Sequence, residues 1–81
     1  MELTHVKSSM IEAVGYDEDK QLMEIVFKGG EIYHFENVPS LEYVGLMRAE
    51  SKGRYMHANI IGLYHEREIT NTAYARSDDD S

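Results

Sequence analysis

The sequence predicts an α+β domain in which a three-stranded antiparallel meander is followed by two helices (β-β-β-α-α). Apolar residues recur at period two in the first half of the chain, most clearly in Leu22–Phe27. In the second half they recur at helical spacing, with an interruption at residues 51–53. A chain of 81 residues has room for one such domain.

Three strands are predicted in the first half of the chain. The first lies within residues 6–16 and has the pair Ser8 and Ser9 at its entrance. A polar turn at residues 17–20 separates it from the second strand, Leu22–Phe27. The third strand is Ile32–Phe35.

The hairpin between the last two strands has two alternative registers. A two-residue glycine turn pairs Val26 with Tyr33, whereas a three-residue loop with a glycine bulge pairs Ile25 with Tyr33. A shift of one residue moves Tyr33 to the other face of the sheet. We favour the bulged loop because it gathers five large apolar side chains on one buried face: Met23, Ile25, Phe27, Tyr33 and Phe35.

Two helices are predicted in the second half. Either Pro39 stands in the first turn of the first helix or Ser40 caps it, and that helix continues to about residue 50. Gly53 predicts a break, and Ser51 is a good N-cap for the second helix. The second helix is expected to bury one face, which carries Tyr55, Met56, Asn59, Ile60 and Leu63.

The composition favours a soluble, cytoplasmic domain. The chain has no cysteine, whereas a secreted domain of this size would usually carry disulfides. No stretch reaches the ~18 apolar residues of a membrane span, and the first residues lack the apolar region of a signal peptide. The formal net charge is −7, which repels phosphate backbones and therefore disfavours nucleic-acid binding.

The domain is expected to span residues 1–69, and residues 70–81 are predicted to be a disordered acidic tail. The tail is poor in apolar side chains and cannot offset the entropy of ordering itself. We favour solubility as the role of Asp78, Asp79 and Asp80, and competition with phosphate for a basic partner is the alternative.

A series of short signals occurs in a specific order along residues 6–64: Val6-Lys7-Ser8-Ser9, Ile11, Gly15-Tyr16-Asp17, Phe27, Gly30, Tyr33-His34-Phe35, Val38-Pro39, Tyr43, Leu46, Ala49, Ser51-Lys52-Gly53-Arg54-Tyr55, Ile60 and Tyr64. Their order and spacing resemble the KTSC domain, which is named for the C-terminal extension of some lysyl-tRNA synthetases and also occurs alone in bacterial and phage proteins. The family's central tyrosine pair corresponds here to Tyr33 and Phe35, so the second hydroxyl is lost.

The resemblance implies the same β-β-β-α-α fold. It implies no known biochemical role, and RNA binding is suggested only by the attachment of the domain to a synthetase.

Basic side chains concentrate where the two predicted helices meet. Together with two intervening residues they form the candidate binding set: Arg48, Lys52, Gly53, Arg54, Tyr55 and His57. Amides at the start of the second helix would add partial positive charge to this anion-binding candidate. We favour the alternative of a solvated helix end in which Arg54 pairs with Glu50.

Ser8, Ser9, Lys52 and Tyr55 could form a nucleophile with an activating lysine, which requires direct contact and a lowered lysine pKa. We favour a structural role for these serines and predict no catalytic residue. Tyr33 is a secondary candidate as part of an aromatic platform for stacked bases. Acidic neighbours favour core packing for it instead.

The four histidines lack the short spacing of zinc ligands, so no metal site is predicted. No cofactor and no membrane are expected, and the oligomeric state stays open. We therefore expect a non-enzymatic protein-interaction module with an unidentified protein partner, a phage or bacterial accessory factor that docks through the helix junction or a free sheet edge. The alternative is an RNA-binding module that uses the basic helix junction.

Overall fold

The computed structural model describes residues 1–69, in which five antiparallel strands form one sheet with helices packed against one face. The elements follow in the order β1 (Leu3–His5), β2 (Ile11–Asp17), β3 (Leu22–Phe27), β4 (Ile32–Phe35), α1 (Ser40–Arg48), α2 (Lys52–Tyr55), a π-helical turn (Met56–Ile60) and β5 (Glu66–Glu68). The strands lie in the sheet in their sequence order, β1-β2-β3-β4-β5.

The predicted meander corresponds to β2, β3 and β4, and the favoured hairpin register is confirmed. Ile25 lies opposite Tyr33. The Phe27 amide donates to the Glu31 carbonyl at 2.8 Å, which closes a three-residue loop. Gly30 ends that loop with a φ of 102°, a conformation that glycine adopts without steric cost.

Two further strands extend the sheet, so the prediction of three strands is wrong in number. At one edge β1 pairs with β2, placing Leu3 opposite Gly15. At the other edge β5 pairs with β4, placing Glu68 opposite Tyr33. The sequences of the two edge strands, LTH and ERE, are short and carry little apolar alternation. Their strand conformation comes from hydrogen bonds to the neighbouring strand, which no local pattern reports.

The first predicted strand begins later than its apolar pattern indicates. Within residues 6–16 the strand starts at Ile11. The Ser8 hydroxyl accepts hydrogen bonds from the amides of Met10 and Ile11, each at 3.1 Å, and so satisfies the backbone just before the strand. The predicted structural role of Ser8 at the strand entrance is therefore confirmed.

The helices agree with the prediction at the start of α2 and differ elsewhere. Pro39 occupies the capping position of α1 without a side-chain cap, and the helix ends at Arg48. Ser51 caps α2, as predicted. The expectation that Leu63 shares the buried face is wrong, since the helical segment ends at Ile60 and Leu63 is 68% exposed.

Nine fully buried side chains form the core between the sheet and the helices: Ile11, Val14, Met23, Ile25, Phe35, Val38, Leu46, Met56 and Ile60. Burial of each such side chain contributes about 1.5–3 kcal/mol. We call the face of the sheet that carries these side chains the core face. It also carries Tyr33, Glu66 and Glu68, because residues directly opposite each other on paired strands share a face.

No helix within residues 1–69 is long and apolar enough to cross a bilayer. The predicted acidic tail, residues 70–81, lies outside the described residues, and the domain boundary at residue 69 stays a prediction.

Candidate functional site

Two side chains of the helix junction, Lys52 and Ser51, stabilise it through hydrogen bonds to the backbone. Lys52 Nζ donates to the Ala49 carbonyl at 3.0 Å, just beyond the end of α1. The Ser51 hydroxyl accepts from the Arg54 amide at 3.3 Å. A lysine ammonium beside the carbonyl end of a helix also interacts favourably with the helix dipole. Lys52, predicted as a binding residue, therefore has a structural role in joining the helices.

Tyr55 is also occupied by contacts within the domain. Its hydroxyl donates to Glu42 Oε1 at 2.7 Å. Its ring crosses α1 at Gly45, where an added Cβ would lie 2.8 Å from the ring Cζ. The hydrogen bond to Glu42, followed by burial, raises the pKa of the Tyr55 phenol. Gly53 lies against Met10, whose sulfur would be 3.2 Å from an added Cβ. Tyr55 and Gly53, two members of the candidate binding set, thus contribute to packing within the domain.

The remaining basic side chains of the junction are accessible. Arg48, Arg54 and His57 are all exposed. The favoured pairing of Arg54 with Glu50 is not among the ion pairs formed within residues 1–69. The regular α-helical part of α2 is only four residues long, so it contributes a small dipole. Anion binding at this position stays a prediction.

The serine and lysine candidates are not brought together as a reactive pair. Ser8 accepts the two backbone hydrogen bonds described above, and Ser9 is exposed. In the part of the chain that the structure describes, no hydrogen bond joins either serine to Lys52, whose ammonium is directed to Ala49. The contact that would activate a nucleophile is therefore not formed.

The histidines are dispersed over the domain. His5, His57 and His65 are exposed, and His34 Nε2 lies 2.9 Å from Glu24 Oε1 on the face of the sheet opposite the core. Among residues 1–69, no group of three or more His, Cys, Asp or Glu side chains is arranged to hold a metal ion.

Three aromatic side chains meet on the core face near the β3–β4 hairpin. Phe27 and Tyr33 pack edge to face with centroids 5.7 Å apart, and Tyr33 and Phe35 lie 6.2 Å apart in a stacked arrangement. Phe35 is only 1% exposed, so it belongs to the core. Phe27 and Tyr33 are half-buried and reach the surface.

These aromatic residues line an open cavity of about 190 Å³, which we call the aromatic pocket. Among residues 1–69, its lining consists of Phe27, Tyr33, Phe35, Ile61 and Glu66. The period-two pattern located Tyr33 and Phe35, whereas Ile61 and Glu66 were missed as site residues. Glu66 reaches the pocket through β5, a strand without a local sequence signal.

Carboxylates act on the Tyr33 hydroxyl, and we call this hydroxyl together with Glu66 and Glu68 the rim of the pocket. The Tyr33 hydroxyl donates to Glu68 Oε1 at 3.4 Å. The charge of Glu68 is the largest cause of a raised pKa at the Tyr33 phenol, followed by burial, and the charges of Glu66 and Glu31 act in the same direction. The pocket therefore combines an aromatic lining with a negative rim.

Comparison with known proteins places the domain in a family. Residues 7–64 match the KTSC domain. A protein from Tsukamurella paurometabola is 42% identical over 52 residues, which cover 64% of this chain and 78% of that protein. An uncharacterized protein from Stutzerimonas stutzeri is 33% identical over 57 residues, covering 70% and 80% of the two chains.

A solved structure agrees with this match. The crystal structure of a KTSC domain protein from Yersinia pestis superimposes with a TM-score of 0.80 at 36% identity, and the match covers 84% of this chain and 96% of that one. Both the sequence match and the common fold therefore support the resemblance inferred from the order of short signals. The chain belongs to the KTSC domain family.

Proposed function

We propose that this domain is a non-enzymatic protein-interaction module, and that a protein partner docks at the aromatic pocket. The observation that carries the proposal is the pocket itself, an opening in the core face lined by Phe27, Tyr33 and Ile61. Such half-buried aromatic and aliphatic side chains are typical anchors of protein interfaces. A cytoplasmic location and an accessory role in a bacterial or phage assembly are part of the proposal.

The size of the pocket favours a protein partner over a free metabolite. Sites for small molecules and cofactors usually enclose ~300–1,000 Å³. The aromatic pocket, at about 190 Å³, is smaller than this range and open to solvent. It suits a single side chain presented by a larger surface. Docking there supersedes the helix junction as the main contact, because Lys52 and Tyr55 are used within the domain.

The absence of an enzymatic role is part of the proposal. The polar groups that would build a small active site are engaged in structural hydrogen bonds, Ser8 with two amides and Lys52 with a carbonyl. Such contacts hold a side chain in place but do not prepare it as a nucleophile or base.

The proposal is tested by capturing proteins from the source cell on the immobilised domain, with ribonuclease present, and then measuring binding of the purified partner. Ile61→Ser alters the pocket, and the double variant Arg48→Glu, Arg54→Glu alters the exposed junction. We expect the pocket variant to bind the purified partner about tenfold more weakly and the junction variant to bind like the wild type. Circular dichroism checks that both variants fold. Equal binding by wild type and Ile61→Ser would contradict docking at the pocket.

RNA binding at the junction is the second candidate function, and it is favoured by the exposure of Arg48, Arg54 and His57 without ion pairs in residues 1–69. If several phosphates are contacted, affinity for a short RNA should fall by up to a few decades between ~50 and ~200 mM salt. The double variant Arg48→Glu, Arg54→Glu should abolish the binding. No detectable binding of a short RNA at low salt would remove this candidate.

A further inference from the structure

The electrostatics of the aromatic pocket select the kind of side chain that can enter it. None of the five lining residues within residues 1–69 is basic, and one of them, Glu66, is acidic. Glu68 reaches the rim through its bond to Tyr33, and Glu31 acts on the same hydroxyl from the hairpin. An anionic group entering the pocket would meet like charges, whereas a cation would meet opposite ones.

The basic residue of β5 does not neutralise this rim. Arg67 lies opposite His34 in the sheet, so its side chain leaves from the face opposite the core. Its Nε lies 3.2 Å from Glu36 Oε2, with which it forms an ion pair. Within residues 1–69, neither Glu66 nor Glu68 forms an ion pair, so their charges on the core face are not neutralised by a basic side chain of that part of the chain.

The aromatic lining adds a second attraction for cations. A guanidinium or ammonium group within ~6 Å of an aromatic centroid is attracted by the negative face of the ring. Phe27 and Tyr33 pack edge to face with centroids 5.7 Å apart, so a cation in the pocket gains this attraction from the ring whose face it covers. The methylene stem of a long basic side chain can meanwhile pack on Ile61, since such stems bury readily against apolar surface.

From this combination we infer that the aromatic pocket binds the cationic end of an arginine or lysine side chain presented by a protein partner. The inference rests on the proposed protein-binding function and names the chemistry of the partner, a basic protein segment. The net charge of −7 supports it, because an acidic body attracts basic partners over long distances. A phosphate-bearing partner is repelled at this position.

The test is an NMR titration of the isotopically labelled domain with N-acetyl-arginine amide as the probe. N-acetyl-citrulline amide is the matched control, because it has nearly the same shape without the charge. We expect arginine to shift the resonances of Phe27, Tyr33 and Ile61 with saturation in the millimolar range, and to bind roughly five- to tenfold more tightly than citrulline. N-acetyl-lysine amide should fall between the two.

Variants of the carboxylates test which charges attract the arginine side chain. The double variant Glu66→Gln, Glu68→Gln should weaken arginine binding about fivefold and leave citrulline binding unchanged. Glu18→Gln is the control, because Glu18 is exposed in the turn at the opposite end of β3 from the pocket. This variant should bind arginine like the wild type. Phe27→Leu keeps the apolar volume but removes one ring, and should also weaken arginine binding.

Equal binding of arginine and citrulline by the wild type, or no shift with either, would overturn the inference without relying on any variant. Tighter binding of N-acetyl-leucine amide would assign the pocket to an apolar anchor and would also overturn it. The purified partner separates the two proposals. If it binds Ile61→Ser more weakly but binds Glu66→Gln, Glu68→Gln like the wild type, the domain is an interaction module whose pocket does not bind a basic side chain.

Discussion

Tyr55, on α2, contacts α1 through both its hydroxyl and its ring. Its hydroxyl donates to Glu42 on α1 at 2.7 Å, and the Tyr64 hydroxyl approaches the other oxygen of the same carboxylate at 3.5 Å. The ring lies directly on Gly45, where the missing Cβ leaves room for it. A hydrogen bond to a charged group contributes about 1.5–3 kcal/mol, so this contact is significant for a small domain.

Gly45→Ala should destabilise the domain by about 1–3 kcal/mol, because the added methyl overlaps the Tyr55 ring and forces the helices to shift. In an unobstructed helix the same change stabilises by about 0.5–1 kcal/mol, so the sign of the effect is diagnostic. The free energy of unfolding in urea is the measurement.

The control is the same substitution in a Tyr55→Ala background. Removal of the ring removes the overlap, and Gly45→Ala should then be neutral or stabilising. Additive effects of the two substitutions would show that the residues do not interact in this way.

At the scale of elements, the helix junction depends on caps more than on buried surface. Lys52 and Arg54 lie in the single α-helical turn of α2, which contains no fully buried residue. The start of α2 is stabilised by the Ser51 side chain, and the end of α1 by the Lys52 ammonium. Short helices gain little from propensity alone, so these hydrogen bonds determine where α2 begins.

Ser51→Ala should therefore lower the free energy of unfolding by about 0.5–2 kcal/mol, the usual effect of removing an N-cap. Ser40→Ala is the matched control, since Ser40 is exposed at the start of α1, a helix whose capping position is held by Pro39. That substitution should change stability by less than about 0.5 kcal/mol. Equal losses from the two serines in urea unfolding would contradict a specific cap at Ser51.

At the scale of the whole molecule, several tyrosines couple stability to alkaline pH. Burial is the main cause of the raised pKa at Tyr16 and Tyr64, the hydrogen bond to Glu42 is the main cause at Tyr55, and the charge of Glu68 is the main cause at Tyr33. A pKa that is higher in the folded state than in the unfolded chain means that folding favours the protonated phenol.

The stability from these phenols should be complete below about pH 10 and should be lost as the pH rises through the raised folded-state pKa values. Urea unfolding at a series of pH values measures the loss, and tyrosinate absorbance reports ionisation directly. The double variant Tyr55→Phe, Tyr64→Phe should lose less stability than the wild type over the same range. An identical alkaline loss in both proteins would assign the effect to other groups.

Local patterns in the sequence were sufficient to predict the central part of the fold. Period-two alternation in β3, together with a glycine that permits a φ of 102°, predicted the bulged hairpin and the register that places Tyr33 opposite Ile25. Ser51 predicted the start of α2 because N-capping involves residues only three apart. These features depend on interactions between near neighbours in the chain, and such interactions leave a readable pattern.

Only the tertiary structure shows that two edge strands extend the sheet and which candidate site residues are used in contacts within the domain. Glu66 and Glu68 reach the rim of the pocket because β5 pairs with β4, a contact between segments more than 30 residues apart. The sequence determined that this is a KTSC-type α+β domain with basic residues at its helix junction. The structure determined that Lys52 and Tyr55 are used internally and that an aromatic, acidic pocket opens elsewhere, since long-range pairing depends on the whole fold.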